Sequence, residues 1–197
     1  MKINAIAGIC KKSGTILRVE KKDGTWIGNG QALYFVPDLK NLDTNGIFTV
    51  FGINEKQREK IIFKNITTKI DLSDFADESV EEKIDEINIG INTNGKNLKV
   101  IKTDLNINFI NSKYLSPVSD IIETMELKLR TMPDETQYIV VKNGMMIEAV
   151  IMPYNCINEK FCEELNLITN YCIEELSKKN INKNYESLKM LGENDAE

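Results

Sequence analysis

INFINSKYLSPVSDII, residues 107–122, changes its hydrophobic period halfway along. In its first half Ile107 and Phe109 alternate with Asn108 and with Asn106 just before the stretch, as in a half-buried strand, whereas Tyr114, Leu115, Val118, Ile121 and Ile122 recur at helical spacing. Asn111 or Ser116 supplies a cap, and Pro117 is comfortable only in a first turn, so a regular helix is expected from about Pro117 to Thr124. A strand therefore feeds directly into a short helix. Beyond it Met125 to Thr131, Gln137 to Lys142 and Met145 to Met152 read as strands; Asn143-Gly144 joins the last two as a hairpin, and Pro153 ends the run.

The same order occurs at the start of the chain. Asn4 to Lys12 carries Ile6, Ile9 and Cys10 on one helical face, with Gly14 as a stop. Thr15 to Lys21 alternates, Asp23-Gly24 is a hairpin signal, Trp26-Ile27 restarts an extended run, and Gly28-Asn29-Gly30 turns or bulges into Gln31 to Val36, which Pro37 closes. The two stretches share a layout rather than letters, and hairpins with Asn-Gly turns are common. As a pseudo-repeat they imply two helices on one face of a sheet, a layered α+β domain.

Between them, IFTVFGI (47–53) reads as a buried strand and KQREKIIFKNITTKIDL (56–72) as a strand or broken strand pair. DFADESVEEKIDE (74–86) reads as a solvated acidic connection, with a short helix as the alternative, and INIGINTNGKNLKVI (87–101) as a hairpin that leads through Leu105 into the opening stretch. The C-terminal part differs in kind. Ile157, Phe161, Leu165, Ile168, Cys172 and Leu176 form a stripe on a long helix that is acidic early, at Glu159, Glu163 and Glu164, and basic late, at Lys178 and Lys179. That face serves either to cover the parent domain or as a dimer seam.

Asn111-Ser112-Lys113-Tyr114-Leu115 at the helix entry and Ala149-Val150-Ile151-Met152-Pro153 at the close of the meander resemble a domain of the DNA sliding clamps, the processivity clamps of bacteria and eukaryotes. In that family a strand runs into an Asn-x-x-Tyr-Leu helix start. The resemblance implies an α+β, clamp-like domain of two βαβββ halves, a mostly antiparallel sheet with two short helices on one face, over residues 1–154. A long C-terminal amphipathic helix (155–180) and a polar, frayed tail (181–197) lie outside the family pattern. The resemblance also implies a link to DNA replication or processing. Frequent Asn, Lys and Ile point to an AT-rich genome, and the expected kind of protein is a phage or prophage product of low-GC bacteria.

Composition limits the chemistry. Twenty-five Lys and Arg against 30 Asp and Glu leave a net charge of -5, which gives no global attraction for nucleic acid or anionic lipid. The helix after Asn111 offers Lys113 but adds Asp120 and Glu123, unlike the Lys- and Arg-rich helices with which clamps face DNA. Local basicity is densest at Lys11, Lys12, Arg18, Lys21 and Lys22, a candidate nucleic-acid surface or a charged edge that deters aggregation. With no histidine, acid-base work would fall to carboxylates, lysines, tyrosines or thiols.

Cys10, Cys156, Cys162 and Cys172 form no C-x-x-C pair and follow no apolar leader, as expected of reduced cytoplasmic thiols, and no metal site is expected of them. Cys10, beside Lys11 and Lys12, is the thiol best placed for a lowered pKa, or else a small core residue. Asp71, Asp74, Asp77, Glu78, Glu81 and Glu82 lack the spacing of a calcium loop, Gly28-Asn29-Gly30 lacks the helix and Lys-Ser/Thr of a phosphate loop, and no cofactor is expected. No stretch is long enough to cross a membrane. The expectation is a non-enzymatic binding or assembly protein acting through a protein partner or self-association, with Trp26, Phe161, Leu165, Ile168 and Leu176 as contact residues; the alternative is a DNA-binding module using the basic segment.

Overall fold

The computed structural model describes residues 1–76, 80–103 and 107–192, with side chains up to residue 179. The chain divides into two compact units, 1–155 and 156–197. The first is α+β. Helix α1 (Ile3–Ser13) buries Ile6, Ala7 and Cys10 and ends where Gly14, at φ 66°, returns its N–H to the carbonyls of Cys10 and Lys11. A residue with a Cβ is strained in that left-handed conformation, which is why glycine stops the helix.

Strands β1 (Thr15–Glu20), β2 (Thr25–Asn29) and β3 (Ala32–Phe35) form the expected meander. Its counterpart is β9 (Met125–Thr131), β10 (Gln137–Asn143) and β11 (Met146–Ile151), preceded by a 3-10 helix, Ser112–Ile121. That helix starts earlier than Pro117 because the Asn111 side chain accepts the Lys113 N–H and so caps the chain as the strand ends. The two three-stranded units meet where β3 pairs antiparallel with β11, Leu33 opposite Val150. With β4 (Ile62–Asn65) parallel to β1 and β5 (Val80–Lys83) antiparallel to β9, the sheet has eight strands in the order β4-β1-β2-β3-β11-β10-β9-β5. A second sheet holds β6 (Asp85–Thr93), β7 (Lys96–Lys102) and β8 (Ile107–Asn111) in that order. The β6–β7 turn is the predicted Asn94-Gly95, both at positive φ. Leu105 and Asn106, which the sequence places just before β8, lie outside the described residues.

Two stretches depart from expectation. IFTVFGI is helical rather than extended: α2 (Thr44–Val50) begins at Asp43, whose carboxylate accepts the Gly46 N–H at 2.7 Å, and its run of apolar letters hides a helical face of Ile47, Phe48 and Phe51 with Val50 left exposed. KQREK likewise opens a one-turn helix, α3 (Glu55–Arg58), because Asn54 and Gln57 form a reciprocal capping box. Local capping overrides β-propensity at both places.

Period-2 alternation sends β-strand side chains to two cores. One face carries Ile16, Ile27, Tyr34, Ile139, Val141 and Ala149 against α1, α2 and the 3-10 helix. The Tyr34 hydroxyl donates to the Tyr114 carbonyl at 2.9 Å and so ties β3 to that helix. The other face carries Val19, Trp26, Leu33, Tyr138, Val140 and Val150 under the irregular segment from Ile66 to Leu72. Within the second unit, α4 (Glu159–Gly192) is capped by Asn158, whose side chain accepts the Phe161 N–H at 3.0 Å. It runs past the predicted end at residue 180, since neither proline nor glycine intervenes before Gly192; 193–197 lie outside the described residues. Among the described residues no helix is long and apolar enough to cross a membrane.

Among the described glycines the closest backbone approach is at Gly28, where an added Cβ would lie 2.0 Å from the Ala32 carbonyl oxygen. Gly28→Ala is expected to cost about 2–3 kcal/mol in urea unfolding, because main chain rather than a movable side chain must give way.

Candidate functional site

The segment crossing the second sheet face is held by charge rather than by ladder hydrogen bonds. Arg130 on β9 is fully buried, opposite Glu81 on β5 and Tyr138 on β10 in the strand register. Its Nε donates to Glu81 Oε2 at 2.8 Å, and its NH1 and NH2 donate to the carbonyls of Asp71, Ser73 and Asp74 at 3.3, 2.9 and 3.3 Å. Lys142 Nζ donates to the Asp74 carbonyl at 2.9 Å, and the Ile147 N–H donates to Asp74 Oδ1 at 2.8 Å. Burial pushes the Glu81 carboxyl up, but hydrogen bonds and charge from Arg130 and Lys142 outweigh it and hold the group below the usual carboxylate range. The acidic segment is thus no solvated connection: the carboxylates of Asp71 and Glu81 turn inward to Arg130 and Lys142 and that of Asp74 to the Ile147 N–H, while Asp77 and Glu78 lie outside the described residues.

This strap walls two depressions. One, about 560 Å³, lies between the β1–β2 hairpin and the strap and is lined by Lys21, Lys22 and Lys69 together with Asp23 and Asp71. The other, about 210 Å³, is apolar, formed by Leu17, Leu33, Ile66, Ile70, Val150 and Met152 beside the β2–β3 turn. Asn29 builds that turn by accepting the N–H groups of Gln31 and Ala32 at 3.0 and 3.1 Å. Gln31 and Met152 also line a third cavity, about 270 Å³, with Lys96, Lys113, Tyr114 and Tyr154. There Lys96 Nζ donates to the Tyr154 hydroxyl at 2.7 Å, and Lys113 Nζ lies 4.7 Å from the Tyr114 ring centre. An apolar and a cationic cavity therefore adjoin at the seam between the two halves of the sheet.

The basic residues singled out in the sequence fall into three settings. Lys11 Nζ donates to the Gly52 carbonyl at 3.0 Å and Lys12 is exposed at the end of α1. Arg18 is buried, with its guanidinium bonded to Asn65, the Leu42 carbonyl and Glu20. Lys21 and Lys22 reach the 560 Å³ cleft and gain Lys69, which the sequence alone did not associate with them. Trp26 is no surface contact: it is 2 % exposed, on a strand buried along its whole length, its ring 5.4 Å from that of Phe35. Phe161 is half-buried, and Leu165, Ile168 and Leu176 are exposed on α4.

Cys10 is sealed against α1's neighbours, its thiol donating to the Gly28 carbonyl at 3.3 Å, and burial pushes its pKa up to about 12. Its flanking lysines point elsewhere, so the thiolate a nucleophile needs is disfavoured. Among the described residues no three His, Cys, Asp or Glu side chains gather closely enough to hold a metal ion. No family model matches the chain, and no curated protein or solved structure is significantly similar to it.

Arg130→Met is expected to cost about 3–5 kcal/mol in chemical denaturation, because it strands Glu81 and the strap carbonyls without their donor. Since the folded pKa of Glu81 is lowered from 4.5, its stabilisation is present above that value and lost as pH falls through the folded value. Glu148, raised by burial, acts in the opposite sense, so the Glu81 contribution is read as the loss of acid sensitivity in Glu81→Gln relative to the unsubstituted chain.

Proposed function

We propose that the chain is a non-enzymatic binding protein on a sliding-clamp-like plan, serving DNA replication or processing by holding a partner protein at the β3–β11 seam. The observation that supports this reading is the pair of adjoining cavities, one apolar and one cationic, that share Gln31 and Met152. The occupant is an extended peptide whose aliphatic or aromatic side chain enters the space under Ile66 and Ile70 and whose carboxylate meets Lys96 or Lys113. Charge complementarity selects an acidic peptide, since among the described residues no Asp or Glu lines the cationic cavity. The helix and three strands that recur on each side of the seam also suit the clamp resemblance of Asn111 to Pro153.

A second reading, direct DNA binding, is favoured by Lys21, Lys22 and Lys69 around one cleft, and opposed by Asp23 and Asp71 in the same lining.

Fluorescence anisotropy with labelled hexapeptides, each carrying one Leu or Phe and one Asp, tests the first reading. Binding is expected that Met152→Lys abolishes and Lys96→Glu weakens about tenfold. Failure of every such peptide to bind would overturn it. A labelled DNA duplex, titrated at low and moderate salt, tests the second: binding that weakens with salt and vanishes in the Lys21→Glu, Lys22→Glu double variant would establish DNA as the partner.

A further inference from the structure

We propose that the peptide held at the β3–β11 seam carries acidic residues on both sides of its apolar anchor, the second of them meeting Lys21, Lys22 and Lys69. The inference rests on the reading of the seam given above and narrows its partner. The apolar cavity shares Gln31 and Met152 with the cationic cavity, and Thr68 and Ile70 with the 560 Å³ cleft, whereas among the described residues none lines both the cationic cavity and the cleft. The apolar space is therefore the middle one of three, with Lys96 and Lys113 beyond one end and Lys21, Lys22 and Lys69 beyond the other. A chain anchored there meets amines in both directions.

The cleft also holds Asp23 and Asp71, and the two carboxylates differ in setting. Asp71 is turned to the strap's own anchor: its Oδ2 lies 3.6 Å from NH1 of the buried Arg130, and its Oδ1 accepts the Ser73 N–H at 2.9 Å. Asp23 is exposed in the β1–β2 turn beside Lys21 and Lys22. Lys69 is shared with Asp134, whose carboxyl is held below its usual range by hydrogen bonds from Thr136 and, after them, by the charge of Lys69. Lys40 brings a further amine to the rim, where its Nζ donates to the Lys22 carbonyl. Such a cleft suits one carboxylate placed beside the amines better than a row of phosphates, which must also pass Asp23. The spacing follows from β1, since Leu17 lines the apolar cavity and Lys21, four residues on, lines the cleft. At the rise of an extended chain that is about 13 Å, so a peptide crossing the strap at Thr68 and Ile70 places its second acid about four positions from the anchor. On the other side, the shared Gln31 and Met152 bring the first acid to about two positions from it.

Fluorescence anisotropy with labelled nonapeptides on the full chain tests this. Each peptide has a Phe anchor, an Asp two positions to one side and Gly and Ser elsewhere; four positions to the other side one peptide carries Asp and its control Asn, and both are made in either sequence direction. In one direction the two-Asp peptide is expected to bind about tenfold tighter than its control, and that ratio should fall to about one in the Lys21→Ala, Lys22→Ala, Lys69→Ala chain, whose fold is checked by circular dichroism. A ratio near one in the unsubstituted chain, or a tenfold ratio that survives in the triple variant, would overturn the inference while leaving a one-acid partner at the seam. Failure of all four peptides to bind would overturn the inference together with the reading of the seam on which it rests.

Discussion

The guanidinium of Arg130 is the point on which the first unit depends. A sheet that is apolar on both faces needs two covers, and only one of them is made of helices. The other is a stretch with no regular structure, whose carbonyls have no ladder to join. Arg130 supplies donors to three of those carbonyls from a position with no solvent contact, and Glu81 balances its charge. A buried cation without such partners would be costly. With them, it converts an irregular segment into a defined second layer.

That layer creates the surfaces on which function is proposed. Ile66 and Ile70 wall the apolar cavity, and Lys69 and Asp71 wall the basic cleft. Both depressions thus share one wall whose position is set by the same ionic cluster. The helical face of the sheet is closed by a different device: Tyr34 reaches the Tyr114 carbonyl, and the Lys2 N–H reaches the Pro117 carbonyl at 2.7 Å, so α1 and the 3-10 helix are joined to each other and to the central strands. One face is built for closure, the other for access.

The second unit follows other physics. Its stripe is formed by local spacing alone.

Much of this architecture was legible in the letters. The switch of period at Asn111, the glycine stop at Gly14, the Asn94-Gly95 turn and the proline after each meander are local instructions, and the backbone obeys them because capping, φ restriction and alternation act over a few residues. The exchange of strand for helix at Ile47 to Phe51 shows the limit of such reading, since a run of apolar residues satisfies both periods and only the Asp43 cap separates them. What the sequence by itself determined was therefore the α+β class, the repeated order of helix and three strands, and the long C-terminal stripe. The tertiary structure alone decided that Trp26 and Cys10 are core, that Arg18 is buried, that Arg130 holds the strap, and that Gln31 and Met152 stand between an apolar and a cationic cavity. Those facts join residues up to about 120 positions apart, and no local pattern encodes which distant backbone a buried charge or a cavity wall will meet.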